Sequence, residues 1–253
     1  MIKSWIPNAL SLGNLALGFL AILISVDAKP EPGHESSQIF FFSGLLILMA
    51  SFLDGFDGTI ARWLKVESTI GAHLDTLADM TTFGLAPAFL MYIMFFNDNV
   101  IHAEAFTLSI GAIIAVIYPL SAAFRLARFQ VSHSPESFVG LPTPIAGAFI
   151  ALIAIVNGLY EFNDSLALII FLGLTFLMSS NIKYAKPQIS FRKHMSTFRI
   201  ILLALVFVSS LIWVKWYWTM LACLVFYIFS GLLALLFHLL QKVKVVFGRL
   251  NVK

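Results

Sequence analysis

The chain has 253 residues, 60% of them hydrophobic and only 11% charged, with a mean hydropathy of +0.92. Soluble domains carry roughly a quarter charged residues, so this composition cannot furnish a water-facing surface and lipid must be the solvent for most of the chain. The net charge of +3 is too small for a nucleic-acid partner, and the single cysteine, Cys223, excludes an intrachain disulfide and reads as a small buried hydrophobe.

A helix that crosses a membrane needs about 20 mostly apolar residues. The apolar runs predict about eight such helices, near 5–26, 39–62, 70–96, 105–129, 141–160, 165–182, 197–214 and 217–240. The first follows MIKSW without a small-residue cleavage site and reads as a retained helix, not a signal peptide. Polar breaks separate the runs: AKPEPGHESS, the turn at Lys65–Ser68, NDN, SHSPES, EFND, KYAKPQISFRKH and VKWYW. Neither a separate soluble domain nor an internal repeat is evident. The expected fold is therefore all-α, a polytopic membrane helical bundle forming a single domain over 1–253.

Orientation follows from the excess of basic residues on cytoplasmic loops. With Lys3 inside and strict alternation, the inner side collects Arg62, Lys65, Arg125, Arg128, the cluster from Lys183 to Arg199, and the Lys and Arg residues after 241. Of the 16 basic residues only Lys29 and Lys215 fall outside. Both termini are thus expected in the cytoplasm, with the basic tail 241–253 anchoring at the anionic inner leaflet.

An ionised carboxylate within a membrane is costly and marks function by default. The second predicted helix ends LDGFDGTIARW, with Asp54 and Asp57 three residues apart; the third begins GAHLDTLADM, with Asp75 and Asp79 four apart. Both spacings put the pair on one helical face. The two helices are antiparallel neighbours joined by a short turn, so the pairs reach a similar depth just below the cytoplasmic surface. Four converging carboxylates repel one another, and bound divalent cations resolve the conflict; all-oxygen ligands favour magnesium, manganese or calcium over zinc. Gly58, Ala61 and Gly71 either let the helices pack closely or leave room for a bulky polar ligand, whose phosphates Arg62 is placed to meet. His73 falls between these residues but off the face of Asp75 and Asp79, and reads as structural.

The run DGFDGTIAR, an eight-residue spacer from Trp63 to Ile70, and GAHLDTLAD together resemble the signature D-x2-D-G-x2-A-R, spacer, G-x3-D-x3-D of the CDP-alcohol phosphatidyltransferase family. The resemblance implies a catalytic core of about 1–182, with additional helices at about 197–240. It implies that Asp54, Asp57 and Asp75 are the principal ligands of two divalent ions, Mg2+ or Mn2+, and that Asp79 is both a ligand and the general base. It also implies that Asn8 and Ser11, in IPNALSLGN, lie near the nucleotide of the CDP-lipid with Gly58, Ala61, Arg62 and Gly71; serine stands where threonine is common. Without it, Asn8 would read as a helix N-cap. A homodimer in the cytoplasmic (inner) membrane, with its active site toward the cytoplasm, is expected on the same ground.

The signature fixes the donor, CDP-diacylglycerol, better than the acceptor. Arg125 and Arg128 in AFRLARF, the prolines Pro142 and Pro144 in FVGLPTPIAG, and Asn181, Lys183 and Tyr184 in SSNIKYAKP look like the phosphatidylserine synthase branch of the family. L-serine brings a carboxylate that a guanidinium binds in a forked geometry, and Arg125, Arg128 and Asn181 are the candidate acceptor-binding residues. The bland alternatives are that the arginines and Lys183 only obey the topology rule and that the prolines open a helix. Three rival functions stand beside this one. The acceptor could be glycerol phosphate, inositol phosphate or another alcohol. A membrane prenyltransferase also binds diphosphate through aspartates, usually on well-separated helices. A divalent-cation transporter would set its aspartates nearer the midplane.

Overall fold

Backbone in hydrocarbon has no water to bond to, and a helix satisfies its own polar groups within one segment. The structure, a computed structural model, accordingly turns the long apolar runs into helices. It describes residues 2–28, 34–64, 66, 68–97, 100–103, 106–131, 137–185, 210 and 214–250, and the side chains of Ala61 and Arg62 are outside that description. Among the described residues five stretches are long and apolar enough to cross a membrane: Trp5–Val26, Ser36–Ile60, Thr69–Phe96, Ile110–Val131 and Trp216–Leu236. Thr143–Asn157 and Asp164–Ser179 are apolar but shorter. The expected span at 197–214 lies almost wholly outside the described residues.

In chain order the helices are α1 (Ile2–Val26), α2 (His34–Leu64), α3 (Thr69–Asp79), α4 (Ala86–Met91), α5 (Ile110–Val131), α6 (Thr143–Asn157), α7 (Asp164–Ser179) and α8 (Trp216–Leu250). From Thr69 to Phe96 the backbone stays helical but widens twice to π turns, at Met80–Leu85 and Tyr92–Phe96. The first widening runs straight into Pro87, which lacks an N–H and whose ring would crowd the carbonyl of Phe83 in a regular α-helix. The all-α expectation needs one amendment, because there are four short strands among the described residues. The fourth predicted helix was expected from residue 105, but Phe106–Ser109 (β2) pairs antiparallel with Val100–Ala103 (β1), and the helix, α5, starts only at Ile110. Both segments are rich in the β-branched and aromatic residues that suit a strand.

Two compact units can be described separately. The first comprises Met1–Val131 and Pro142–Ser179. Here α1 lies along α2 and α3, α2 packs on α6, and α5 packs on α7. Every residue of α6 from Ala146 to Val156 is buried, as expected of a helix that is apolar all round. Phe40, Ile47, Phe83, Leu90, Ala151 and Ala154 meet in one cluster. Outward faces carry Trp5, Phe19, Leu120, Phe124 and Phe176 in exposed positions, which fits a surface solvated by lipid. Gly18 lets α1 touch the π segment, since a Cβ there would overlap the Thr82 side chain and stand 2.6 Å from its Cα.

The second unit comprises Ser132–Leu141 and Ser180–Lys253. Ser137–Val139 (β3) pairs antiparallel with Lys183–Ala185 (β4), and Gly140, at φ 80°, turns its N–H onto the carbonyl of Ile182 at 2.8 Å. Tyr184 is buried, stacks on Tyr227 of α8 with ring centroids 5.6 Å apart, and presses against Gly231. Cys223, expected to be buried, sits on an exposed face of α8: the hydropathy that places it in a helix does not say which face looks inward.

Candidate metal and phosphate site

The four aspartates converge as their spacing predicts. One carboxylate oxygen from each of Asp54, Asp57 and Asp75 lies within 4.8 Å of the other two, a geometry in which a single cation can be held. Asp79 extends the group on the side of Asp54, and Asp57 neighbours Asp75. Asp57 and Asp79 are buried, and Asp75 Oδ1 and Asp79 Oδ1 have no hydrogen-bond partner among the described residues. Acceptor oxygens left open in a closely packed carboxylate cluster fit a divalent, oxygen-preferring ion and leave no reason to invoke a softer metal.

Local structure fixes each carboxylate. Ser11 on α1 donates its hydroxyl to Asp57 Oδ2 at 3.0 Å, while Asp57 Oδ1 accepts from the backbone N–H of Gly58. Ser68 caps α3: its extended backbone (φ −137°, ψ 150°) turns its Oγ onto the N–H of Gly71 at 3.0 Å. That cap sets the start of α3 and so the phase at which Asp75 and Asp79 face α2. A Cβ on Gly71 would come within 3.0 Å of both Asn8 Oδ1 and Ser68 Oγ.

Beside the aspartates is a cavity of about 250 Å3. Of the expected CDP-lipid residues, Asn8, Ser11, Gly58 and Gly71 line it, together with Asp57 and Asp75. Asn8 is well inside α1, which begins at Ile2, so the helix-cap reading is excluded. Ala61 and Arg62 belong to the last turns of α2, but their side chains are outside the described residues. Pro7, Val66, Ser68 and Ala72 also line the cavity and were missed; for Ser68 the signal was available, a serine just before a periodic helix.

The two arginines of α5 part company. Arg125 is buried, its charge acts on both Asp54 and Asp79, and its Nη1 donates to Thr143 Oγ1 at the start of α6, 2.7 Å away. Arg128 instead donates to the carbonyls of Met178 (3.3 Å) and Ser179 (3.4 Å) at the C-terminus of α7, where a cation meets the negative end of the helix dipole. Asn181 is exposed and belongs to the second unit. Thr143 was not anticipated. Neither was Asn14, a fully buried residue of α1 whose backbone carbonyl accepts from Thr82 Oγ1 at 2.9 Å.

The family model for CDP-alcohol phosphatidyltransferase matches residues 4–179. The chain is 28% identical to a CDP-diacylglycerol–serine O-phosphatidyltransferase of Helicobacter pylori, over 96% of this chain and 94% of that one. It is 33% identical to the protein of that name in Bacillus subtilis, over 76% and 93% of the two chains, and 34% identical to that of Methanocaldococcus jannaschii, over 72% and 74%.

Proposed function

This chain belongs to the CDP-alcohol phosphatidyltransferase family, and on that premise we propose that it transfers the phosphatidyl group of CDP-diacylglycerol to L-serine, forming phosphatidylserine and releasing CMP. The observation that carries the reading is Asp79 beside Asp54, of the metal-competent group, with the charge of the buried Arg125 guanidinium acting on both. In this reading Asp79 is the base, the metal-competent group anchors the donor diphosphate, and Arg125 anchors the carboxylate of the acceptor. The names of the similar proteins point to serine in the same direction.

In this reading Asp54, Asp57 and Asp75 hold divalent metal, Mg2+ or Mn2+ in two ions, with Asp79 as a further ligand. When bound, such ions neutralise the carboxylates and the charge on the donor diphosphate. Asn8, Ser11, Gly58, Ala61, Arg62 and Gly71 border the CDP moiety. Arg125 takes the serine carboxylate, and Asp79 accepts the proton from the serine hydroxyl. The freed oxygen attacks the phosphorus attached to diacylglycerol, and the bond from that phosphorus to CMP breaks, with CMP leaving in line with its electron pair. Positioning and electrostatics supply the rate; no covalent enzyme intermediate is needed. Arg128 belongs to the acceptor side of the proposal, although its contacts with α7 favour a positioning role for it.

The membrane arrangement proposed with this chemistry is a homodimer in the inner membrane. Each chain has eight spans, both termini in the cytoplasm and the aspartates toward that side, so that CDP-diacylglycerol enters laterally from the inner leaflet. The distribution of basic residues supports the orientation. The test is to incubate purified protein with CDP-diacylglycerol, Mg2+ or Mn2+, and a panel of alcohols. CMP release dependent on L-serine is expected; release only with glycerol phosphate or inositol phosphate would replace the acceptor, and none with any alcohol would sink the enzyme reading.

A further inference from the structure

The buried face of α1 reads Ser11, Asn14, Gly18, Ala21 and Ser25, and its polar members are satisfied except one. Ser11 bonds Asp57, and Ser25 bonds Ser43 and the carbonyl of Ala21. Asn14 is 0% exposed, yet both its Oδ1 and its Nδ2 have no partner among the described residues. An amide in that state forfeits both a donor and an acceptor. Such a group implies a ligand that supplies both complements.

Its place in the bundle says which ligand. Asn8 stands against Gly71 and Gly18 against Thr82, so α1 runs parallel to the helix carrying Asp75 and Asp79. Between those two contacts Ser11 reaches the level of Asp57 and Asp75, and Asn14 that of Asp79, whose Oδ1 is also unpartnered. Asn14 does not line the cavity that holds Asn8 and Ser11; its backbone carbonyl accepts from Thr82 Oγ1 at 2.9 Å, which ties it to the helix three residues beyond Asp79.

We propose that Asn14 is an acceptor-binding, specificity-determining residue, whose carboxamide grips the neighbouring ammonium and carboxylate groups of an α-amino acid beside Asp79. Oδ1 accepts from the ammonium and Nδ2 donates to the carboxylate, which Arg125 holds from α5. A carboxamide offers acceptor and donor side by side, matching a zwitterion that carries both charges on one carbon; a phosphorylated polyol has no ammonium to give Oδ1. This inference rests on the serine-acceptor reading above.

The experiment compares wild-type protein with Asn14→Ala, measuring KM for L-serine, KM for CDP-diacylglycerol, and the inhibition constants of ethanolamine and 3-hydroxypropanoate, each of which lacks one of the two groups. Loss of hydrogen bonds to charged groups should lower kcat/KM for L-serine by about 10- to 100-fold while the analogues weaken less than about 5-fold and KM for CDP-diacylglycerol holds. An unchanged KM for L-serine, or equal losses for both substrates, overturns the proposal. Should Asn14→Ala not fold, Asn14→Asp of nearly equal size is read instead: it should reject L-serine and 3-hydroxypropanoate by carboxylate repulsion while retaining ethanolamine, and uniform treatment of all three overturns the proposal. Wild-type protein that releases CMP with another alcohol but not with L-serine would instead remove the underlying reading, an outcome visible before any variant is made.

Discussion

Ser11 on the first helix holds Asp57 on the second by a 3.0 Å hydrogen bond between buried side chains. The hydroxyl also reaches the carbonyl of Pro7 at 3.3 Å, one turn back on its own helix. A carboxylate so held presents a fixed face to its neighbours Asp54 and Asp75. Groups that orient a metal ligand typically alter metal affinity by about 10- to 100-fold. Ser11→Ala is therefore expected to raise the Mg2+ or Mn2+ concentration giving half-maximal CMP release by that factor, with Ser11→Thr restoring it. A metal titration at saturating CDP-diacylglycerol reads this directly, and an unchanged midpoint in Ser11→Ala would count against the orienting role.

Removing a member of the metal-competent group should be harsher than removing its support. Asp57→Asn or Asp75→Asn keeps the side-chain volume but withdraws a charge, and activity is expected to fall by about a thousand-fold or more, comparable to or beyond the loss of a single transition-state stabiliser. Chelation of divalent ions should abolish wild-type turnover, and added Mg2+ or Mn2+ should restore it. Activity that survives exhaustive chelation would rule out the metal reading of the cluster.

Asp79 is buried beside Asp54, and the charge of Arg125 acts on both. A general base contributes about 10²- to 10⁴-fold. Asp79→Asn should therefore lower kcat in that range while CDP-diacylglycerol still binds, measured by equilibrium binding in detergent. Near-normal turnover with retained binding would reassign the base.

The sequence made the aspartates legible because spacings of three and four are properties of a single helix, and a charge in an apolar run announces itself. It could not separate Arg125 from Arg128. Both are basic, both fall on one face of α5, and both obey the topology rule; only the packing of α6 and α7 sends one to Thr143 and the other to the end of α7. Asn14 was hidden for the opposite reason. One amide among leucines changes hydropathy little, and its significance lies in the partners it lacks, which are a tertiary fact. Likewise α5 lost its first residues to the hairpin at Val100–Ser109, where pairing with a neighbouring segment overrode an apolar run.

Thr143 gives the arginine distinction a test. Its hydroxyl accepts from Arg125 Nη1 at 2.7 Å and is fully buried. Thr143→Val removes the acceptor at nearly constant volume, so one guanidinium donor loses its anchor and Arg125 is less well aimed. A rise of about 3- to 10-fold in KM for L-serine is expected, the scale of one buried hydrogen bond, with kcat and KM for CDP-diacylglycerol little changed and Thr143→Ser restoring the wild-type value. A parallel loss in kcat would mean that Thr143 supports the bundle instead of the arginine.

Packing of α1 on the π segment should be the most sensitive joint of the catalytic unit. Gly18 is backed directly onto Thr82, whose hydroxyl is already committed to the carbonyl of Asn14 at 2.9 Å. A methyl group at position 18 must push against the Thr82 backbone, 2.6 Å away at Cα, and not merely against a flexible side-chain tip. The helices then have to separate, and with them Ser11 from Asp57 and Asn14 from the level of Asp79. Overpacking of this kind costs about 1–3 kcal/mol, so Gly18→Ala should lower the midpoint of thermal unfolding in detergent and weaken metal dependence and L-serine affinity together. Gly55 and Gly173 have no neighbouring atom in the way of a Cβ among the described residues, and Gly173→Ala serves as the control on an exposed stretch of α7. If Gly18→Ala melted no earlier than Gly173→Ala, the close approach of α1 to Thr82 would not be what holds the acceptor end of the site together.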